Sequence, residues 1–301
     1  MRVFVTGATG FIGSAIVQEL LGAGQQVLGL ARSDSGARWL GAAGAEVYRG
    51  SLEDLDSLRG GAAAADAVIH TAFIHDFSKF QQNCDIDRRA IEALGSELAG
   101  SDRLLIVTSG MPLAAAGGIG TEDDAPVPNF PRKSEEVAAS FAERGVRISV
   151  VRLPQVHNTV KQGLVTYTIA LAREKGVSAY VADGLHRWAA VHVLDAARLY
   201  RLALEKQEAA KYHAVAEEGV PLREIAEAIG RSLKVPVVSK SPEEAAAHFG
   251  WLGMFAGREI TGSSAQTQRL LGWRPTGPGL IADIDGLEHS ERSEERAALA
   301  S

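Results

Sequence analysis

Three glycines, Gly7, Gly10 and Gly13, stand three residues apart directly behind the apolar run Val3-Phe4-Val5. Residues without side chains at that spacing let backbone N–H groups close on a diphosphate, and a helix starting behind them turns its positive end toward the same phosphates. Ala15, Ile16, Val17, Leu20 and Leu21 then recur at helical spacing until Gly22 and Gly24 stop them. Thr9, Phe11 and Ile12 fill the gaps of the Gly-x-x-Gly-x-x-Gly motif and belong to the same expected cradle. A glycine triplet alone is often only a tight turn. Between a buried strand and an amphipathic helix it predicts a dinucleotide site.

Other groups could move a proton or a charge. His75, in His75-Asp76-Phe77-Ser78-Lys79, follows the expected fourth strand by a few residues. An imidazole with an ordinary pKa of about 6.5 suits proton transfer near neutral pH, and Lys79 one helical turn on could tune it. The alternative is that His75 caps a helix beginning near Asp76. His157, behind Leu153-Pro154-Gln155, could also reach a substrate carbonyl. His186 and Arg187 lie in a glycine-containing turn that could touch substrate or a cofactor phosphate. His192, ahead of Asp195, reads as structural; Tyr167 and Tyr180 read as core or pocket wall. Asp123 and Asp124 read as a solvated acidic loop. No His-x-x-x-His spacing is present, and no metal is expected.

These residues need a scaffold, and the hydrophobic pattern supplies one. After the opening strand, apolar β-branched runs recur at Gln26–Ala31, 45–50, 66–72, 103–108 and 147–152, separated by helical stretches that include 77–98 and 132–143. Such alternation predicts an α/β fold, a doubly wound parallel sheet of the Rossmann type, with ligands at the carboxyl ends of its strands. Gly110 to Pro131 reads as an irregular active-site loop. Beyond Pro154 the rhythm loosens into helices near 163–175, 193–206, 221–233 and 242–249 with short strands between. The expected division is a dinucleotide-binding domain of 1–155 with about 187–215, and a smaller C-terminal substrate-binding lobe of 156–186 and 216–301. The charged, alanine-rich tail from His289 reads as a frayed helix or disorder.

Composition narrows the partners. A net charge of −6 argues against a nucleic-acid or anionic-membrane surface. Cys84 is the one cysteine among 301 residues, so an internal disulfide is excluded and a reducing compartment is the default. No apolar run approaches the ~20 residues of a membrane span. The first strand begins at Arg2 with no room for a signal peptide, so a cytoplasmic protein acting on a small molecule is expected.

Thr6-Gly7-Ala8-Thr9-Gly10-Phe11-Ile12-Gly13 resembles the glycine motif of the extended short-chain dehydrogenase/reductases, the group of the NAD-dependent epimerases and dehydratases. Asp66-Ala67-Val68-Ile69-His70-Thr71-Ala72 is similar to that family's fourth strand, and Val151-Arg152-Leu153-Pro154-Gln155-Val156-His157 to the segment beside the nicotinamide. Val191 to Ala197 and Leu270 to Pro275 resemble its C-terminal landmarks. The resemblance implies cofactor contacts from Ser51 and Leu52, from Thr71, Ala72 and Phe73, and from Pro154 and Val156. It also implies possible homodimers through the helices at 77–98 and 132–144.

The catalytic set departs from the family. Its Ser or Thr slot past the fifth strand falls on Gly110, with Ser109 adjacent, and its Tyr–Lys pair falls in Pro128-Asn129-Phe130-Pro131-Arg132-Lys133, which holds no tyrosine. Depending on register, the pair becomes Asn129 with Lys133 or Pro128 with Arg132, and Glu136 favours the second. The chain thus resembles the atypical members. Ser109 would hydrogen-bond the substrate oxygen, Arg132 or Lys133 would hold the ribose and supply positive charge, and His75 or His157 would handle the proton. At the end of the second strand, where an acid would bind a ribose 2′-hydroxyl, stands Ala31 followed by Arg32 and Ser33. A guanidinium and a hydroxyl suit a 2′-phosphate, favouring NADP(H), while Asp34 keeps NAD(H) open. A solvated surface arginine is the plainer reading of Arg32.

Overall fold

A computed structural model describes residues 1–112 and 118–287. Its centre is a seven-stranded, all-parallel sheet in the order β10-β6-β5-β4-β1-β2-β3. The strands are β1 (Arg2–Thr6), β2 (Gln26–Ala31), β3 (Glu46–Arg49), β4 (Ala67–His70), β5 (Leu104–Gly110), β6 (Arg147–Leu153) and, far along the chain, β10 (Lys211–His213). The inner strands β1, β4, β5 and β6 are almost wholly buried, which is why they read as continuous apolar runs instead of alternating ones. The chain order reverses between β1 and β4, so a crevice opens past Thr6 and His70, which stand opposite each other in the register.

Helices cover both faces. Helix α1 (Phe11–Gly22) and the later α7 (Val193–Lys206) pack on one side; α3 (Leu55–Ala63), α4 (Phe80–Leu98) and α5 (Ser134–Ala139) cover the other, while α2 (Asp34–Ala43) bridges β2 and β3. Ser33 caps α2 by accepting from the Gly36 N–H, and Gly44 ends it in the left-handed conformation.

The remaining chain adds two small sheets. Strand β9 (Arg187–His192) lies between β7 (Gln155–His157) and β11 (Glu217–Pro221); β8 (Ser178–Val181) pairs with β12 (Val237–Lys240). Helices α6 (Val165–Lys175), α8 (Leu222–Leu233) and α12 (Leu280–Asp285) pack around them. Helices α9 (Pro242–Phe249), α10 (Gly253–Ala256) and α11 (Ala265–Leu271) complete the set, with α9 opened by a Ser241/Glu244 capping box.

The C-terminal segment returns to the main sheet. Trp273 is fully buried in the cluster that also holds Val3, Val5 and Tyr200, and its indole N–H donates to the Asp195 carbonyl at 3.0 Å. The buried Asp195 carboxylate accepts from the backbone N–H groups of Thr276 and Gly277.

Two expected elements differ. The helix expected from 132 begins only at Ser134 and is short. Pro131 disfavours helical backbone in the residue before it, and Asn129 takes a left-handed φ of 59° in a turn, so 128–133 is not helical. The expected i, i+4 pair on one helix face, in either register, does not form. The helix expected at 77 opens with a 3-10 turn at Phe77–Lys79 before α4. The tail from His289 and part of the 110–131 loop lie outside the described residues.

Candidate active site

The glycines divide their labour. Gly7 has φ 69°, and a Cβ there would meet the Ala72 nitrogen and Thr71 Oγ1 at 2.8 Å, so the turn presses on the end of β4. A Cβ on Gly13 would sit 2.0 Å from the Gly7 carbonyl oxygen, so Gly13 serves close helix–strand packing. Around Gly10 the nearest atom to such a Cβ is the Gly7 oxygen at 3.2 Å, and beyond it lies space. Gly10 is also the N-cap of α1, where no side chain satisfies the first-turn N–H groups. A missing side chain beside uncapped donors fits a diphosphate. Phe11 and Ile12 are half-buried against the core and bring their N–H groups to this end, while Thr9 touches the start of α2 near Gly36. Thr71 Oγ1 donates to the Thr6 carbonyl at 2.7 Å, so Thr71 and Ala72 border the cradle.

At the end of β2, Arg32 is exposed and has no hydrogen-bond or charge partner among the described residues. The neighbouring Ser33 Oγ accepts from the Gly36 N–H at 3.1 Å. Asp34 is engaged by Arg49, whose guanidinium also donates to the Ser33 carbonyl at 2.7 Å. Ser51 Oγ accepts from the Asp54 N–H at 3.3 Å, and Leu52 rests on the core beside α3.

Below the crevice runs a buried polar chain. His70 Nε2 faces Asp87 Oδ1 at 3.3 Å and Nδ1 faces Thr6 Oγ1 at 2.8 Å. A carboxylate only accepts, so His70 Nε2 carries a proton and donates to Asp87. Asp87 Oδ2 accepts from Ser134 Oγ at 2.5 Å and lies 3.6 Å from Arg132 Nε. Burial pushes the Asp87 carboxyl up, but the His70 hydrogen bond, the Arg132 charge and Ser134 outweigh it and hold the group below the usual range. Arg132 also donates to the Thr108 carbonyl at 2.9 Å and to Ser134 Oγ at 3.0 Å, leaving Nη1 without a partner among the described residues. Its guanidinium lies over the Phe73 ring, 4.2 Å from the centroid. Thr108 Oγ1 donates to the His70 carbonyl at 2.8 Å, so the 2.6 Å contact with Tyr200 is a bond that Tyr200 donates.

The expected site residues thus separate. Arg132 and Phe73 meet, and His75 stands edge-on to the same Phe73 ring at 5.3 Å. Ser109, one residue past Thr108, is half-buried with no hydroxyl partner among the described residues. Lys133 turns outward and pairs with Glu136 at 2.9 Å. His157 is fully buried, its Nδ1 2.6 Å from Asp283 and its Nε2 without a hydrogen bond among the described residues, 3.9 Å from Glu217, on β7 with the buried Val156; Pro154 links β6 to β7. A ring so enclosed is a poor candidate to touch substrate. His75 does not cap the helix: Asp76 does, accepting from the Ser78 N–H at 3.1 Å. His75 is exposed at the mouth of the crevice yet hemmed by protein atoms, and this desolvation, with Arg132 adding to it, holds its pKa below 6.5.

Elsewhere, His192 caps α7, His186 is exposed on its turn and Arg187 is bound to Glu259. Asp124 accepts from the Thr121 N–H at 2.7 Å. Among the described residues no three His, Cys, Asp or Glu cluster as a metal site, and no helix is long and apolar enough to cross a membrane.

The Thr6–His70–Asp87 chain was not anticipated from the sequence. One signal was available: Asp87 sits on the apolar stripe of α4 with Cys84, Ala90, Ile91 and Leu94, where an acid needs buried partners.

Known proteins share this fold. Residues 3–216 match the sequence profile of the NAD dependent epimerase/dehydratase family. Uncharacterized protein C2A9.02 of Schizosaccharomyces pombe is 51% identical over 289 residues, covering 94% of this chain and 98% of that protein. The solved UDP-glucose 4-epimerase of Thermotoga maritima, with UDP-glucose, superposes with a TM-score of 0.77 at 20% identity, over 97% of this chain and 99% of that one. MoeE5 in complex with UDP-glucose and NAD gives 0.75 at 21% identity, over 97% and 99%. The chain belongs to the NAD-dependent epimerase/dehydratase family.

Proposed function

From that membership we infer that the chain is an NADP(H)-dependent oxidoreductase of the short-chain dehydrogenase/reductase type, acting on the carbonyl or alcohol of a small organic molecule. The observation that carries the reading is Gly10, whose absent side chain leaves space beside the uncapped end of α1. The 2′-phosphate preference draws support from Arg32, unpartnered among the described residues and followed by Ser33, and from Asp34, whose charge Arg49 already balances.

A bound nicotinamide supplies the acceptor or donor of a hydride. Everything else falls to the chain. The Ser109 hydroxyl donates to the substrate oxygen, and Arg132, held by Thr108, Ser134 and Asp87, lends positive charge as that oxygen gains electrons. His75, uncharged at neutral pH because its pKa is lowered, takes the hydroxyl proton of an alcohol. In the reverse direction the protonated ring returns it.

A second reading, a nucleotide-binding module without turnover, draws on the tyrosine-free, non-helical stretch 128–133. An epimerase or dehydratase remains a variant of the first reading, as does a dimer built through α4 and α5. The test mixes purified protein with NADPH or NADH and a panel of aldehydes and ketones. Cofactor oxidation, faster with NADPH, is expected; tight binding with no turnover would replace the first reading by the second.

A further inference from the structure

Seven rings form one connected wall running outward from Arg132. Phe73, which carries Arg132 on its face, stands edge-on to Phe80 at 6.3 Å, and Phe80 meets both Phe130 and Phe77 at 5.9 Å. Phe77 then reaches across to the C-terminal part of the chain. It stacks on Trp251 at 4.2 Å with the planes 8° apart, and Tyr167 of α6 closes the group edge-on, 5.8 Å from Phe77 and 5.0 Å from Trp251. His75 stands edge-on between Phe73 and Phe77.

These outer rings are not core. Trp251 keeps 39% of its surface exposed and Tyr167 36%. Trp251 sits on the 3-10 turn Gly250–Leu252 between two buried anchors, Phe249 and Leu252, which hold the turn while the indole faces outward. Gly250 enters that turn at φ 56°, ψ −130°, a backbone that other residues rarely adopt. A large indole presented on this turn, flat against the Phe77 ring, offers a planar apolar face with favourable stacking geometry. The charged groups bearing on the neighbouring His75 are Arg132, already committed to Asp87, and Lys161.

We propose that Phe77, Tyr167 and Trp251 form an aromatic clamp for the ring of a flat aryl carbonyl or aryl alcohol, whose oxygen lies toward Ser109, His75 and Arg132. The proposal rests on the oxidoreductase reading for where the oxygen lies, while the clamp itself is a statement about binding. A planar ring stacks on the indole surface that Phe77 leaves open, extending the stack and burying apolar area of both. An aliphatic chain of equal size gains only area.

Two measurements on the full chain test this. In the first, 2-naphthaldehyde and hexanal are compared with NADPH for the wild type, Trp251→Ala and Trp251→Phe. Trp251→Ala should lose about tenfold or more in kcat/KM for naphthaldehyde, mainly through KM, with hexanal changed by less than about threefold and Trp251→Phe restoring most of the loss. In the second, calorimetry follows 2-naphthamide and cyclohexanecarboxamide binding in the presence of NADPH. Naphthamide should bind more tightly, and the advantage should vanish in Trp251→Ala. Absence of turnover with Trp251-dependent naphthamide binding would sink the oxidoreductase reading and leave the clamp standing. Equal losses for aryl and alkyl compounds, or aryl binding indifferent to Trp251, would overturn the clamp.

Discussion

Arg132 lies with its guanidinium 4.2 Å above the Phe73 ring while its Nε stays 3.6 Å from Asp87. The cation is held from below by a buried acid and from above by a π face, a geometry that fixes a long side chain without burying its charge alone. Asp87 is fixed in turn by His70 and Ser134. Whatever Arg132 does at the mouth of the crevice depends on residues beneath it that touch no ligand.

Removing the buried anion should therefore show in two ways. Asp87→Asn should cost on the order of 3 kcal/mol of stability at pH 7, read by denaturant or thermal unfolding. The Asp87 pKa is depressed in the folded chain, so its contribution is present above the unfolded carboxyl value near 3.8 and fades as pH falls through the lower folded value. The gap between wild type and variant should close on acidification below about pH 4. A gap independent of pH would mean that the cost is steric.

The glycines make opposite predictions. Gly10→Asp should leave the melting temperature nearly unchanged yet abolish nucleotide binding by calorimetry, since its side chain enters open space with a charge like that of the phosphates. Gly13→Ala should destabilise the protein outright, because its Cβ would lie 2.0 Å from a backbone oxygen. Retained NADPH affinity in Gly10→Asp would leave the turn with a purely structural role.

Arg32→Ala should weaken NADPH by roughly 10- to 100-fold, the worth of a charge-assisted hydrogen bond, and NADH by less than about threefold. Equal weakening of both nucleotides would remove the basis for the 2′-phosphate preference.

His75 should set opposite pH slopes for the two directions of reaction. Its lowered pKa leaves the ring neutral at pH 7, ready to accept a proton. Alcohol oxidation should rise with pH through an inflection below 6.5, and carbonyl reduction should rise as pH falls through the same inflection. His75→Ala should remove that limb and lower turnover by about a hundredfold, with nucleotide affinity unchanged. A limb that survives the substitution would assign the proton to another group.

The sheet was legible because its inner strands are buried on both faces and so carry long apolar runs, as in Leu104 to Val107. The glycine turn was legible because backbone geometry at Gly7 leaves a mark in residue type. The region around Arg132 was not. The family resemblance implied an i, i+4 pair there, whereas Pro131 and the left-handed Asn129 bend the chain before any helix starts. Arg132 and Lys133 are neighbours of like charge, and only the placement of Asp87, 45 residues upstream, distinguishes the inward one from the outward one. His157 looked chemically apt in one dimension, but β7 buries it against Asp283, 126 residues away. The wall of rings was scattered over residues 73 to 251, and nothing in the sequence joins Phe73, His75 and Tyr167 to Phe77 or Trp251.

Trp273 completes the same apolar cluster that Val3 and Val5 begin. During synthesis the opening strand therefore leaves the ribosome some 270 residues before the last member of its cluster is made. The nascent parallel sheet must wait with an unfilled slot beside Asp195, and a stop codon anywhere ahead of position 273 would strand it in that condition.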